Sequence, residues 1–215
     1  MKITTVTSED RRFPLGQGAG SDAVHRDPVY SYAVTRLQLD DGTDGTGLSF
    51  TLGAGNDLVC SAIEFIARDL VGRDLDDLMA TFGEWQDQAS NEQQFRWLGP
   101  HKGVVHLALA SVTNACWDAW ARTRNVPLWQ LLLDLTPEEL VNTMDLSYLE
   151  DALTRNEAKA LIASQVESRS GRESILAKGY PGYDTSVGWF NYPDKQVAEN
   201  VVKSVAKGFT AMKLK

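Results

Sequence analysis

Cysteine is almost absent from this 215-residue chain: Cys60 and Cys116 are the only two. Both sit in helix-like segments without metal-ligand spacing, which excludes a disulfide framework and a zinc module; they read as reduced, buried thiols of a cytoplasmic protein. Neither has a nearby partner that would make it a nucleophile. Histidine is nearly as scarce. His25 is isolated, and His101 and His106 lie five apart, the wrong spacing for one helical face, so zinc is not expected. No apolar run approaches the roughly 18 residues of a membrane span, and the polar start MKITTVTSEDRR has no signal-peptide core. Positive charge is short as well: 21 Lys and Arg against 29 Asp and Glu leave a net charge of −8, which argues against nucleic acid or an anionic membrane as partner. Repeats and low-complexity tracts are missing. What remains is an ordinary globular composition, 43% hydrophobic with six tryptophans, enough for a sizeable core.

Residues 2–8, 30–40 and 45–52 are rich in Thr, Val, Tyr and Leu, and DDGTDG supplies a hairpin turn between the second and third. They predict a three-stranded antiparallel meander. From Asn56 the period becomes helical. NDLVCSAIEFIARDLVG opens with Asn56 or Asp57 as N-cap, repeats Val59, Ile63, Ile66 and Leu70, and stops at Gly72. The strongest helix is GVVHLALASVTNACWDAWARTRN, with Val105, Leu109, Val112, Cys116 and Trp120 on one stripe. Trp117, Trp120 and Trp129 read as core. TPEE at Thr136 and TRNE at Thr154 are capping boxes. LGAGNDLVCSAIEF mimics a dinucleotide fingerprint, but Leu58 replaces its third glycine and the strand before it belongs to a hairpin.

Near Gly179 the pattern changes again. YPGYDTSVGW reads as a strand, PDKQVAENVVKSVAKG as an amphipathic helix with Val197, Val201 and Val205 on one face, and FTAMKLK as a second strand. Strand, helix, strand at this spacing is a βαβ unit of a parallel sheet. A (β/α)8 barrel needs roughly 250 residues, so only the start of one is expected. The fold class is therefore an α+β capping domain (meander plus helical bundle, 1–143), a helical connection (144–178), and a truncated (β/α) barrel (179–215). In the last strand Phe209, Ala211, Lys213 and Lys215 share one face, and Thr210, Met212 and Leu214 the other. If the apolar face packs on helices, the lysines point to the barrel mouth, where two ammonium groups repel each other and one becomes available as a base. Spacing alone favours an edge strand with solvent-facing lysines, since K-x-K is frequent, and only context reverses that.

The context of these lysines resembles the enolase superfamily. NACWDAWARTRNVPLWQLL (114–132) matches the helix and Pro-Leu stretch that end its capping domain, and Lys213-Leu214-Lys215 matches the K-x-K of the mandelate-racemase-like branch. RRFP, GSDAVHRDPVYS, SFTLGAGND, RWLGPHKGVVHLAL, DALT and GYPGYDTSVGWFNY narrow the resemblance to the L-fuconate dehydratase group, with its related L-galactonate dehydratases.

That resemblance implies a metal-assisted dehydration of a sugar acid. Mg2+ holds the carboxylate, a base removes the C2 proton, the 3-hydroxyl leaves, and tautomerisation gives a 2-keto-3-deoxy acid. By position Lys215 is the acid/base residue and Lys213 its cationic, substrate-binding neighbour. Gly20, Ser21, Asp22, Tyr30 and Tyr180 are the implied substrate-binding residues; on residue type alone the loop is a turn and the tyrosines are packing. Asp184 stands where the family has threonine and Gly182 where it has alanine, and a carboxylate at 184 near substrate would change specificity or disfavour an acid. The implied Mg2+ ligands, three carboxylates, and a second acid/base histidine fall beyond Lys215, so the chain alone is expected to hold no metal and to be inert. The expected partner is a small-molecule sugar acid, with no nucleic acid and no membrane, and a homo-oligomer is left open. Two alternatives stand: another acid-sugar dehydratase or racemase on the same scaffold, and a non-catalytic interaction module.

Overall fold

The structure, a computed structural model, describes residues 1–98 and 102–215; His101 and the middle of RWLGPHKGVVHLAL lie outside them. Three strands, β1 (Ile3–Pro14), β2 (Val29–Leu39) and β3 (Asp44–Thr51), form an antiparallel sheet in the order β1-β2-β3. The meander is as predicted, although β1 runs six residues past the predicted end because residues through Pro14 continue to pair with β2. The β2–β3 hairpin turns at Gly42, whose φ is +88°, and the Asp41 carboxylate accepts from the Thr43 N–H at 2.9 Å.

Helix α1 (Asn56–Ala67) follows, prolonged by a 3-10 turn over Arg68–Leu70. Its N-cap is Gly55, at φ +80°, and not Asn56 or Asp57. The Asn56 side chain is engaged sideways: Oδ1 accepts from Thr51 Oγ1 at 2.8 Å and Nδ2 donates to Asp10 at 2.6 Å. It is fully buried and ties the helix start to both outer strands. Short helices α2 (Leu75–Ala80), α3 (Phe82–Ser90) and α4 (Gln93–Leu98) lead to the long α5 (Val104–Thr123). The predicted stripe of α5 is buried at Leu109, Val112, Cys116 and Trp120, while Val105 is half-buried. These side chains meet Ile3, Leu37, Ile63 and Phe82 in one core between sheet and helices.

Helix α5 lies directly on β3, and two glycines make this possible. A Cβ at Gly47 would stand 1.9 Å from the Ser111 carbonyl oxygen, and one at Gly45 2.3 Å from that of Ala115. Gly45 and Gly47 share one face of the strand, and Ser111, Ala115 and Ala119 recur at helical spacing opposite them. Polar groups lock the contact. Thr46 N–H donates to Asp118 at 2.8 Å, Thr35 Oγ1 and Ser111 Oγ are 2.8 Å apart, and Ser111 Oγ donates to the Ala33 carbonyl at 3.0 Å.

Past α5 come α6 (Leu128–Asp134), α7 (Pro137–Asn142), α8 (Arg155–Ser164) and α9 (Arg169–Ala177). Both predicted capping boxes are present, Thr136 with Glu139 and Thr154 with Glu157. The chain then forms β4 (Asp184–Gly188), α10 (Asp194–Ala206) and β5 (Met212–Leu214), with β4 and β5 parallel, the βαβ unit that the sequence predicts. Two details differ. β5 begins at Met212, since Gly208 (φ +94°) and Phe209 close α10 through the Phe209 N–H to Ser204 oxygen bond of 3.2 Å. The inward face of α10 is Val197, Val201 and Ser204, with Val205 exposed, because Ser204 turns toward Asp184. Among the described residues no helix is long and apolar enough to cross a membrane.

Gly47→Ala is expected to push α5 off the sheet and cost about 1–3 kcal/mol, lowering Tm by roughly 2–12 °C. Gly16→Ala, in open space at an ordinary φ, is the control and should leave Tm unmoved. Equal melting of the two variants in a thermal scan would contradict the close-docking account.

Candidate active site

The loop between β1 and β2 folds back over the βαβ unit. Between them lies a cavity of about 410 Å³, lined on one side by Leu15, Gly20 and Tyr30 and on the other by Trp189, Tyr192 and Asn200. Gly20 sits at φ +75°, and a Cβ there would stand 2.7 Å from Leu15 and 3.1 Å from the Tyr30 ring, so only glycine lets the loop lie this close. Tyr30, the second residue of β2, stacks edge-on against Phe50 with centroids 4.9 Å apart, and has its phenol pushed up by burial. Ser21 is buried, and its Oγ accepts from the Asp27 N–H at 3.0 Å.

Asp22 is the pivot of the loop. One carboxylate oxygen accepts from the backbone N–H of Val24 at 2.8 Å and of His25 at 2.6 Å, with the His25 ring nitrogen 3.1 Å away. These bonds, the His25 backbone first, hold its pKa down to about 2. The carboxylate that the resemblance directs toward a polyol is occupied in shaping the loop, and Asp22 does not line the cavity.

On the βαβ side, Lys215 N–H donates to the Gly188 oxygen at 3.0 Å, which brings the end of β5 beside the end of β4. Leu214 turns toward Gly188 and Val197 of α10. Lys215, one residue on, takes the opposite face, and its Nζ lies 4.2 Å from the centroid of the Trp189 ring. Lys213 and Lys215 are both exposed, and neither is part of the cavity wall; Lys215 reaches it only through Trp189. Tyr180 is 80% exposed and also away from the wall. Gly20 and Tyr30 are thus brought together with Trp189, and through it with Lys215. Trp189, Tyr192 and Asn200 are wall residues that were not singled out in the sequence, although Trp189 and Tyr192 lie within GYPGYDTSVGWFNY.

Asp184 also touches the wall, but its carboxylate faces α10. Ser186 N–H and Oγ bond one oxygen at 2.8 and 2.6 Å, Ser204 Oγ the other at 2.9 Å, and these bonds, the Ser186 hydroxyl first, hold it below the usual range. It clips helix to strand. Cys116 is fully buried and its thiol is pushed up to about 12 by desolvation, which keeps it unreactive. Among the described residues no three His, Cys, Asp or Glu side chains come together to hold a metal ion.

Residues 3–132 match the N-terminal domain of mandelate racemase / muconate lactonizing enzyme. The chain belongs to that family. As a family member it is 41% identical to Mitochondrial enolase superfamily member 1 of Bos taurus over all of its length and 49% of the relative's. It is 40% identical to L-galactonate dehydratase of Hypocrea jecorina, over 99% of this chain and 48% of that one. The crystal structure of human Mitochondrial enolase superfamily member 1 superposes with a TM-score of 0.92 at 39% identity, covering 100% of this chain and 49% of that chain. L-talarate/galactarate dehydratase from Salmonella typhimurium LT2 superposes at 0.69 with 20% identity, over 100% of this chain and 44% of that one, a likeness of fold alone. The chain spans about half the length of the curated relatives it matches.

Asp22 gives a pH signature with a definite sign. Its folded pKa is depressed from 3.8 to about 2, so the loop contacts it makes are complete above the unfolded value and are lost as pH falls through about 2. Hydrogen exchange at the Val24 and His25 amides is expected to stay slow at pH 4, and to become fast at that pH in Asp22→Ala, which has no acceptor, with little change in Tm. Unchanged exchange in the variant would remove Asp22 from the pivot role.

Proposed function

We propose that this chain is the capping domain and first barrel strands of an acid-sugar dehydratase, with Lys215 as its acid/base residue. The proposed substrates are L-fuconate and L-galactonate. Residues 1–143 form the cap, 144–178 the helical connection and 179–215 the start of the barrel. The observation that carries the reading is the lid cavity: Gly20 and Tyr30 from the cap meet Trp189, and Lys215 stands on the same indole. The 40% identity to an L-galactonate dehydratase along nearly the whole chain supports the choice of substrate class.

In this reading the neutral amine of Lys215 takes the C2 proton of the bound acid, and the C–H electron pair passes to the carboxylate as an enediolate. The pair then returns to form the C2–C3 double bond as the 3-hydroxyl leaves with a proton as water. The resulting enol tautomerises to the 2-keto-3-deoxy acid. Lys213 offers a positive charge to the carboxylate, and the loop around Gly20 and Ser21, with Tyr30, closes over the sugar and excludes water. Tyr180, Lys213 and Asp22 lie off the cavity wall and are proposed to reach substrate only when their own segments rearrange, Asp22 leaving Val24 and His25. Mg2+ is the proposed cofactor of the whole enzyme. The described residues do not fit it, so its ligands are assigned to later barrel strands and no step here runs through it.

This chain alone, given Mg2+ and L-fuconate or L-galactonate, is expected to release no 2-keto acid. A polypeptide that continues it through a complete barrel is expected to release it, and Lys215→Ala in that polypeptide should lower kcat/KM by about 10³-fold. Deuterium entering C2 from D2O with no keto acid formed would favour a racemase instead. Full activity of the Lys215→Ala variant would overturn the assignment.

A further inference from the structure

Lys215 carries its ammonium on a flexible four-carbon stem, and an acid/base group gains only from being held in place. Two contacts reach it from one short segment, and a third brings up its neighbour Leu214. The Gly188 oxygen accepts from the Lys215 N–H at 3.0 Å, which fixes the backbone. Gly188 has no side chain, and a Cβ there would stand 2.7 Å from Leu214, so the glycine admits the close approach of β5. The next residue, Trp189, then presents its ring to Nζ at 4.2 Å. Trp189 is itself held from behind, since its carbonyl accepts from the Tyr192 N–H at 2.9 Å in the turn that leads into α10. The same indole lines the lid cavity together with Gly20 and Tyr30.

We infer that Trp189 is a positioning residue for Lys215, its indole holding the ammonium against a ring that also lines the lid cavity. Gly188-Trp189 works as a unit: the glycine brings β5 in and the tryptophan seats the lysine head. The interaction is directional, because a cation is attracted to the face of the ring and not to its rim. Trp189 is thereby shared between the wall that the cap closes on and the lysine, so a change in loop 15–28 reaches Lys215 through one side chain. The catalytic meaning of this role rests on the dehydratase reading, but the contact does not.

The test uses the chain as it exists. Lysines are reductively dimethylated with 13C-formaldehyde and their methyl signals recorded by heteronuclear NMR. One signal is expected upfield of the others, shifted by the ring current of the indole. It should vanish in Lys215→Gln, move to the position of the exposed lysines in Trp189→Ala, and stay upfield in Trp189→Phe, while the Lys213 signal stays put in every variant. A purely structural role for Trp189 would move many signals together and would not be rescued selectively by phenylalanine. A Lys215 signal among those of the exposed lysines in the parent chain overturns the inference, even if Trp189→Ala fails to fold. An upfield Lys215 signal beside an inactive completed barrel would instead sink the dehydratase reading and leave this inference standing.

Discussion

Everything in the capping domain follows from how near helix α5 comes to strand β3. The backbone of Gly47 touches the backbone at Ser111, with no room for a methyl group between them. That contact sets the height of the helix over the sheet, and hence the space into which Leu37, Val112 and Cys116 fit. It also explains the acidic residue in the ACWDAW segment: Asp118 receives the Thr46 N–H from the residue between the two glycines. Trp120, two residues on and facing the other side of α5, sends its indole N–H to Asp76 at 2.8 Å, and Arg124 lies over its ring at 4.5 Å while bonding the same carboxylate. One helix therefore fastens the sheet on one side and the short helices on the other.

From that frame the cap acquires its reach. β1 and β2 stay paired as far as Pro14 and Val29, so the loop between them starts from a rigid base at the edge of the sheet. The loop keeps its shape through local bonds, Asp22 to Val24 and His25, and Ser21 to the Asp27 N–H. Gly20 lets it settle against Leu15 and Tyr30, and the cavity forms where this surface meets Trp189. The βαβ unit has its own fastening, Asp184 to Ser204 between strand and helix, together with Asn200 to the Val187 carbonyl at 3.2 Å. Two separately braced bodies thus face each other across the cavity.

Local chemistry was legible in the sequence. The Asp41-Gly42 turn and the capping boxes at Thr136 and Thr154 are written within a few residues, and the stripe of α5 and the βαβ order within single contiguous stretches; all appear, with Val105 only half-buried. Asn56 was misread because its polar side chain suits an N-cap, whereas its partners, Asp10 and Thr51, are found only once the sheet is built. The glycine pair at 45 and 47 escaped notice for the same reason, since the helix it admits begins more than fifty residues later. In the site, Lys215 and Tyr30 were recognisable by resemblance, but Trp189 was not. Its meaning depends on a strand pairing that spans the whole of α10. Asp184 does line the cavity, and what the sequence could not show is that its oxygens accept from Ser186 and Ser204.

The central claim is that the cap and the lysine strand enclose one acid sugar between them. It is tested most directly by a crystal structure of this chain, continued through a complete barrel, with an acid-sugar hydroxamate bound. The account predicts the analogue in the cavity beneath Gly20 and Tyr30, with the Lys215 nitrogen about 3.5 Å from the carbon that mimics C2 and its head still against Trp189. An analogue bound elsewhere, or a Lys215 turned away from it into solvent, would contradict the account.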